Sequence, residues 1–196
     1  MSSPLPIPNM DAATIAAGNL PVKRTPAHIY FFGYSGPDPE VCFQQWYPSP
    51  FTDSELTVDS GNGETSSPSF KTSEHYMMYC KAMLFGDEIT AKKILEAEGP
   101  GEAKALGRVA GPFDQQKWDS SCDAIVEQGN FLKFSQNPAL RDILLSTGDK
   151  VIVEASPSDR IWGVGFDAEH AEGREEEWGQ NKLGEALMRV RRRLRS

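Results

Sequence analysis

The chain has 196 residues, of which 39% are hydrophobic and 24% charged, a balance typical of one soluble globular domain with a hydrophobic core. The formal net charge of -8 argues against a protein that coats nucleic acid through its phosphates, although it allows a local nucleotide site. No apolar run reaches the ~18 residues of a membrane-spanning helix, and the N-terminus lacks the pattern of a secretory or mitochondrial leader. We therefore expect a cytoplasmic or nuclear protein.

The cysteines and histidines are too scattered to predict a metal site. Cys42, Cys80 and Cys122 are an odd number and lie far apart, so reduced thiols are expected. The three histidines are equally dispersed. We expect no metal and no cofactor.

The first part of the chain divides into an arm and the start of a domain. Residues 1–26 contain five prolines and few large apolar residues, which predicts a flexible N-terminal arm followed by one domain over 27–196. HIYFFGYS (28–35) is β-branched and aromatic, which predicts a strand. An aromatic loop with two prolines follows over 41–51.

Two further features precede the helical part of the chain. ELTVD (55–59) predicts a short second strand. Residues 60–69, with Gly61 and Gly63, are typical either of a hairpin turn or of a loose loop.

Helices dominate from residue 73 onward. Apolar periodicity and stop signals predict helices over 73–85, 88–98, 102–109, 118–136, 138–148 and from 182 to the C-terminal region. Asp87, Asn137 and Asn181 stand at the starts of three of these helices and are the expected N-caps. An apolar strand is predicted over 150–156, before a long loop that ends at residue 180. Strands, then helices, then a strand predict an α+β fold.

The helix over 73–85 carries two charges on a face that is otherwise apolar. At 100° per residue, Glu74 and Lys81 lie 20° apart and about 10 Å apart along the axis. Because helical side chains lean toward the N-terminus, Lys81 is expected to reach back toward Glu74. The two side chains form either a structural ion pair or the two sides of a binding site.

A second cluster, SPSDRIWGVG, directly follows the strand over 150–156. Asp159 offers a carboxylate, Trp162 a flat face for stacking, and Gly163 a close approach of backbone to a ligand. The alternative is a plain turn in which Asp159 accepts hydrogen bonds from its own backbone. The GVG triplet is not a dinucleotide-binding fingerprint, because no GxGxxG opens a helix there.

Three other features have two interpretations each. Trp118, at a helix start, is either a core residue or a stacking platform. Arg108 is either a phosphate ligand or a surface ion-pair partner. Five arginines in MRVRRRLRS suit the C-terminal end of a helix dipole, and a phosphate-binding or localisation patch is the less favoured interpretation.

Several motifs occur in an order that resembles one known family. They are FFGYS, WYPSPF, TSEHYMMYCKAMLFGD, EAKALGR, NPALRDILLSTGD, VEASPSDRIWGVG and NKLGEALMRVR. The chain is similar to the YbiA/NADAR (NAD- and ADP-ribose-associated) family over about residues 29–195. The resemblance implies an α+β fold, a mainly helical single domain with a small β-sheet. One departure is the pair Gln44 and Gln45, where the family usually has Ser-Asn.

The resemblance also implies an activity and the residues that perform it. Members are N-glycosidases that act on early riboflavin-pathway intermediates or remove ADP-ribose from guanine. The family's acid and lysine on the SEHY helix correspond to Glu74 and Lys81. Its tryptophan before the long helix corresponds to Trp118, and the acid and tryptophan of the DRIWG loop to Asp159 and Trp162. Glu74, Lys81 and Asp159 are thus the predicted catalytic residues.

The predicted substrate-binding residues include five others beside the two tryptophans. They are Tyr47, Tyr76, Arg108, Gly163 and Asn181.

The predicted function is hydrolysis of the ribosyl C1–N bond of an N-ribosylated base, with ADP-ribosylated guanine as the favoured substrate. A riboflavin-pathway phosphoribosylamino-pyrimidine is the alternative substrate. A non-catalytic ADP-ribose reader and a purely structural domain are the alternatives from other classes. The expected partners are ADP-ribose or a ribosylated nucleobase, together with ADP-ribosylated nucleic acid and without a membrane.

Overall fold

The computed structural model describes residues 21–59 and 64–196, which adopt the predicted α+β fold. Within these residues the helices are α1 Ser73–Leu84, α2 Glu88–Glu96, α3 Pro100–Val109, α4 Gln115–Gln136, α5 Pro138–Ser146, α6 Ala168–Ala171 and α7 Lys182–Arg195. The strands are β1 Lys23–Arg24, β2 His28–Phe31, β3 Phe51–Thr52, β4 Val58–Asp59, β5 Thr65–Ser66, β6 Ser69–Phe70 and β7 Val151–Glu154. Short 3₁₀ helices cover Pro39–Phe43 and Glu175–Glu177. No helix of this part of the chain combines the length and apolarity needed to cross a membrane.

The main sheet joins the two ends of the domain. Its order is β1-β2-β7, with β1 antiparallel to β2 and β2 parallel to β7. The parallel register runs from His28 opposite Val151 to Phe31 opposite Glu154. Separate hydrophobic clusters cover the two faces of this sheet, which is the usual environment of parallel strands. Glu154 therefore ends its strand inside the protein.

The predicted arm is described only from residue 21 onward, because residues 1–20 lie outside the described residues. Residues 21–26 are not loose in the structure, since they contain β1. Arg24 anchors this strand through Nε, which donates to Glu40 Oε1 at 2.8 Å, and Nη2, which donates to Asp38 Oδ1 at 2.9 Å. Proline content predicted the irregular backbone but not these long-range ion pairs.

Two small antiparallel strand pairs lie between β2 and α1 in the sequence. β3 pairs with β6, and β4 pairs with β5. The strand predicted over 55–59 is limited to β4. The β4–β5 pairing flanks the predicted turn, whose residues 60–63 lie outside the described part of the chain.

Helix α1 is the central helix of the domain. It packs against α2, α3 and α4, which explains why nearly all of its faces are apolar. Thr72 caps it by accepting a hydrogen bond from the His75 backbone N–H at 3.3 Å. Its N-terminal two turns are fully buried. Glu74 is thereby held away from solvent in the first turn.

The predicted caps have mixed outcomes. Asp87 caps α2 by accepting from the Thr90 N–H at 3.0 Å, as predicted. Asn137 and Asn181 occupy the N-cap positions of α5 and α7, as predicted, but neither side chain makes a capping hydrogen bond. Asn137 Nδ2 instead donates to the Lys133 carbonyl at 2.8 Å, and the Asn181 side chain bonds the backbone of β7.

Two helices begin earlier than predicted. Helix α4 starts at Gln115, because Asp114 accepts a hydrogen bond from the Lys117 N–H at 2.8 Å and supplies the cap. Helix α3 starts at Pro100, a residue favoured at the first helical position. Trp118 consequently lies in the first turn of α4.

Helix α7 buries its apolar face against α4 and β7. Its arginines are largely paired with acidic side chains. Arg189 Nε lies 2.7 Å from Glu127 Oε2, and Arg195 Nη1 lies 2.7 Å from Asp149 Oδ1. These contacts favour the structural interpretation of the basic C-terminal sequence.

We expect Gly184→Ala to lower the free energy of unfolding by about 1–3 kcal/mol. A Cβ atom at Gly184 would lie 2.1 Å from the Ile152 carbonyl oxygen, which is backbone and has little room to move. Gly101→Ala is the matched control, since its Cβ would lie 3.7 Å from the Trp46 ring, an ordinary contact. Urea unfolding of both variants measures the difference, and equal stabilities would contradict the close packing of α7 on β7.

Candidate active site

One cavity brings together most of the predicted site residues. It has a volume of about 260 Å³ and lies between α1, α3, the start of α4 and the loop that follows β7. Six predicted residues line it: Glu74, Lys81, Arg108, Trp118, Asp159 and Trp162. Glu74 and Lys81 on α1 therefore line the same cavity as Asp159 and Trp162, although the two pairs are far apart in sequence.

Glu74 is almost fully buried at this cavity, with 5% of its surface exposed. Its backbone N–H donates to the Gln45 carbonyl at 3.0 Å. Burial raises the pKa of its carboxyl, while Lys104, a hydrogen bond from the Trp46 side chain and Arg108 act in the opposite direction. The two nearby cations and the indole therefore favour the charged form that burial alone would suppress.

Lys81 lines the same cavity but does not form the predicted contact with Glu74. Its Nζ donates to the Gly107 carbonyl at 2.8 Å and lies 5.5 Å from the centroid of the Trp118 ring. The ion pairs within 4.0 Å among the described residues do not include Glu74 with Lys81. Burial, followed by the charge of Arg108, lowers the pKa of Lys81. The structural ion-pair interpretation of these two residues is therefore wrong.

A glycine sets the distance between α1 and α3. A Cβ atom at Gly107 would lie 2.2 Å from the Met78 sulfur, so only glycine allows this approach without a shift. The close packing brings the Gly107 carbonyl to Lys81. It also directs Lys104 and Arg108, one helical turn apart on α3, toward the cavity.

Asp159 has both of the properties that the sequence suggested. Its Oδ1 accepts hydrogen bonds from the Ile161 N–H at 2.8 Å and the Trp162 N–H at 2.9 Å, which is the predicted turn. Asp159 nevertheless lines the cavity beside Trp162. The turn fixes the orientation of a carboxylate that faces the site.

Sequence reasoning missed five polar or aromatic residues that line the cavity. They are Gln44, Gln45, Trp46, Lys104 and Glu154. Lys104 could have been found from its spacing, because it precedes Arg108 by four residues on a predicted helix. Glu154 stands at the end of an apolar strand, where a carboxylate is unexpected.

Residues 44–46, here called the glutamine segment, form hydrogen bonds with three buried ionisable residues, Lys133, Glu154 and Glu74. The Gln44 carbonyl accepts from Lys133 Nζ at 2.9 Å, and Gln44 Nε2 donates to Glu154 Oε1 at 2.9 Å. The Gln45 carbonyl accepts from the Glu74 N–H, and Gln45 Oε1 accepts from Asn130 Nδ2 at 2.8 Å. The Gln-Gln departure from the family pattern is thus part of the framework of the site.

Lys133, on α4, is fully buried, with 0% of its surface exposed. Burial lowers the pKa of its ammonium from 10.5 to about 8. Its Nζ lies 5.3 Å from the Phe134 ring centroid and 5.8 Å from that of Tyr47. The Lys133 ammonium donates a hydrogen bond to the Gln44 carbonyl, so its role is to hold the glutamine segment.

Glu154 lies at the carboxyl end of β7, with 7% of its surface exposed. Burial raises the pKa of its carboxyl to about 7, against the hydrogen bond from Gln44. The charges of Asp159 and Glu74 raise it further, while Lys104 lowers it. Two buried carboxyls of the same cavity therefore have different electrostatic surroundings.

Four predicted substrate-binding residues lie elsewhere. Tyr76 faces the core and donates to Asp53 Oδ2 at 2.9 Å, and Tyr47 packs beside Lys133. Gly163 is buried, and a Cβ there would lie 2.8 Å from the Glu154 carbonyl oxygen, so its missing side chain accommodates β7 rather than a ligand. The side chain of Asn181 bonds the β7 backbone, accepting from the Glu154 N–H at 3.0 Å.

Metal ligation has no candidate cluster in residues 21–59 and 64–196. No three or more His, Cys, Asp or Glu side chains are arranged there to hold an ion.

Comparison with known proteins identifies relatives of the whole domain. The family model described as NADAR domain matches residues 30–195. N-glycosidase R617 of Acanthamoeba polyphaga mimivirus is 43% identical over 171 residues, covering 86% of this chain and 96% of that protein. Riboflavin biosynthesis protein VVA0006 of Vibrio vulnificus is 36% identical over 126 residues, covering 63% of this chain and 30% of that protein. The NMR structure of the E. coli protein YbiA matches with a TM-score of 0.63 and 27% identity, covering 92% of each chain.

The buried Lys133 predicts an unusual pH dependence of stability. Its pKa is about 8 in the folded protein and 10.5 ordinarily, so the unfolded chain binds more protons between these values. The folded state is therefore stabilised as pH rises through this window, by roughly 3 kcal/mol from this group.

The test compares the wild type with Lys133→Met in urea unfolding between pH 7 and 10.5. We expect the difference in unfolding free energy between the two proteins to grow with pH in favour of the wild type. Lys92→Met, at an exposed position on α2, is the control for loss of a charge. A difference that does not change with pH would mean that Lys133 keeps an ordinary pKa.

Proposed function

Because the chain belongs to the NADAR domain family, we propose that it removes ADP-ribose from ADP-ribosylated guanine. The broader activity is that of its relatives: it is an N-glycosidase, a hydrolase that acts on N-glycosyl bonds. The substrate and the roles of individual residues are our proposal.

The observation that carries the proposal is the composition of the cavity. It contains the buried carboxyl of Glu74 beside two cations, Lys104 and Arg108, and two partly buried indoles, Trp118 and Trp162. ADP-ribosyl-guanine carries two bases, a diphosphate and a ribose whose C1–N bond is cleaved. The cavity offers a matching group for each of these parts.

Glu74 acts at the ribose in this proposal. Breaking a ribosyl C–N bond develops positive charge at C1, as in other glycoside cleavages. A carboxylate shielded from water stabilises that charge more strongly than an exposed one would. Asp159, fixed by its two backbone hydrogen bonds, is the second carboxylate at this cavity and orients the ribose.

Lys81 attacks ribose C1 as an uncharged amine. Its pKa is lowered by burial and by Arg108, which increases the fraction of free amine. The amine displaces the base at C1, and the C1–O4 bond then opens as O4 takes a proton from the attached nitrogen, which gives a Schiff base. Water adds to C1 of the Schiff base, and the sugar ring closes as Lys81 leaves as a free amine. The contact with the Gly107 carbonyl holds Nζ at the cavity between turnovers.

The remaining groups bind the ends of the substrate. Trp118 and Trp162 stack on the bases, since every base offers a π-face to an indole. Lys104 and Arg108 contact the diphosphate, and the planar guanidinium of Arg108 is suited to bidentate contacts with phosphate oxygens. Two cations on adjacent turns suit a diphosphate better than a single phosphate.

A riboflavin-pathway ribosylamino-pyrimidine is the second candidate substrate. The observation in its favour is the similarity to VVA0006, whose name refers to riboflavin biosynthesis. This chain corresponds to 30% of that protein. Glu74 and Lys81 would have the same roles in cleaving the C1–N bond of the ribosylamino-pyrimidine.

We expect Glu74→Gln to lower product release by at least about 100-fold, because the amide cannot stabilise positive charge at C1. The measurement is mass spectrometry of products from an ADP-ribosylated guanine oligonucleotide and, separately, from the phosphoribosylamino-pyrimidine. Glu185→Gln, on the exposed face of α7, is the control for the same chemical change.

The products decide between the substrates. Free ADP-ribose from the oligonucleotide is the expected result. Cleavage of the pyrimidine alone would assign the protein to riboflavin intermediates. Binding of ADP-ribose with no cleavage of either substrate would make it a reader.

A covalent adduct between Lys81 and the sugar is expected when turnover is stopped with cyanoborohydride. Hydride reduces a Schiff base to a stable amine, and peptide mass mapping then locates the modified lysine. Lys104→Met, which keeps Lys81, is expected to retain trapping at high substrate concentration. An active wild type without any adduct on Lys81 would assign this lysine an orienting role instead.

A further inference from the structure

Glu154 is a buried carboxyl of the site to which neither the family resemblance nor the sequence assigned a role. It lines the cavity at the end of β7 with 7% of its surface exposed. Gln44 Nε2 donates to its Oε1 at 2.9 Å. Its Oε2 is shielded from solvent and has no hydrogen-bond partner among the described residues. An unpartnered carboxyl oxygen at a cavity wall requires an explanation, because such burial is unfavourable.

We infer that Glu154 is the acid of this site, which gives a proton from Oε2 to the nitrogen that leaves ribose C1. This inference rests on the proposed cleavage of a ribosyl C1–N bond but not on which base is released.

Hydrogen bonding indicates which oxygen carries the proton. The amide N–H of Gln44 requires Oε1 to be an acceptor. The proton of the neutral carboxyl therefore belongs on Oε2, the oxygen without a partner. A substrate nitrogen in the cavity would be the missing acceptor.

The charges around Glu154 favour its neutral form. Carboxylates face it from two elements, Glu74 on α1 and Asp159 in the loop after β7, and Lys104 faces it from α3. Its pKa of about 7, caused mainly by burial, leaves a large protonated fraction at neutral pH. Glu74 is instead faced by Lys104 and Arg108 together with Trp46. Burial raises the pKa of Glu74 too, but its charged and polar neighbours favour its ionised form, whereas the neighbours of Glu154 include two carboxylates that favour the neutral form.

Protonation by Glu154 accompanies cleavage of the C1–N bond. The C1–N bond breaks, its electron pair goes to the nitrogen, and the Oε2 proton joins the same nitrogen, which leaves Glu154 as a carboxylate. The water that later adds to C1 gives its hydroxyl to the sugar and its other proton to Glu154. One water is consumed, and a base N–H and a ribose C1–OH are formed.

The experiment is the pH profile of kcat for the wild type, Glu154→Gln and Gln44→Met, with Glu185→Gln as control. The wild type should lose activity as pH rises through the pKa of Glu154. Glu154→Gln should lower kcat by about 10²–10⁴-fold with little change in KM, and its alkaline limb should disappear. In Gln44→Met the alkaline limb should move to higher pH, because the lost hydrogen bond favoured the ionised form.

A second readout separates this inference from the proposed substrate. The Glu154 carboxyl ¹³C shift, assigned by its loss in Glu154→Gln, should titrate near pH 7 in the free protein. A carboxyl that is ionised at pH 6 would overturn the inference whatever the substrate. An unchanged rate and profile in Glu154→Gln, with an active wild type, would overturn it while leaving the proposed function intact.

The identity of the substrate and the folding of Glu154→Gln both affect this test. A wild type that cleaves only the pyrimidine would overturn the proposed substrate, and the same profiles would then test Glu154 on that compound. If the thermal melt shows that Glu154→Gln does not fold, the inference is tested by the direction in which the alkaline limb of the kcat profile shifts in Gln44→Met. No shift in that variant would overturn the inference.

Discussion

The site depends on keeping three ionisable side chains out of water, Glu74, Lys133 and Glu154. An isolated buried charge is strongly unfavourable, so each must have a partner or be neutral. The glutamine segment contacts all three side chains: the Gln44 carbonyl accepts from Lys133, the Gln44 amide donates to Glu154, and the Trp46 side chain donates a hydrogen bond to Glu74. Because one short segment bonds all three elements, the packing of the core and the geometry of the cavity are not separable.

The central part of this arrangement could be predicted from sequence. The periodicity of α1 identified Glu74 and Lys81 as charges on a buried helix, and the structure confirms that both line one cavity. The DRIWG loop was predicted to follow a strand and does so. These inferences succeeded because helical period and strand order are local properties. Glu154 and Lys104 were missed because a cavity is formed by contacts between distant elements, which no local pattern records.

Three predicted substrate-binding residues have partners within the protein itself. Asn181 was expected to cap a helix and bind substrate, but its amide satisfies an N–H and a carbonyl of β7. Tyr76 was expected at the ligand, but its hydroxyl donates to Asp53 in the core. Gly163 was expected to allow the close approach of a ligand, but its missing side chain makes room for the backbone of β7. In each case the protein's own backbone or a buried carboxylate is the partner, and residue type alone cannot distinguish this partner from a substrate.

The parallel pairing of β2 with β7 has a consequence for how the enzyme is made. His28 meets Val151 and Phe31 meets Glu154, so this contact closes a very long loop. Long-range contacts of this kind form late and slow the folding of small domains. On the ribosome, helices α1 to α5 emerge before β7, and the cavity at that moment lacks Glu154, Asp159 and Trp162. A growing chain therefore has an incomplete cavity until the last quarter of the domain has been synthesised.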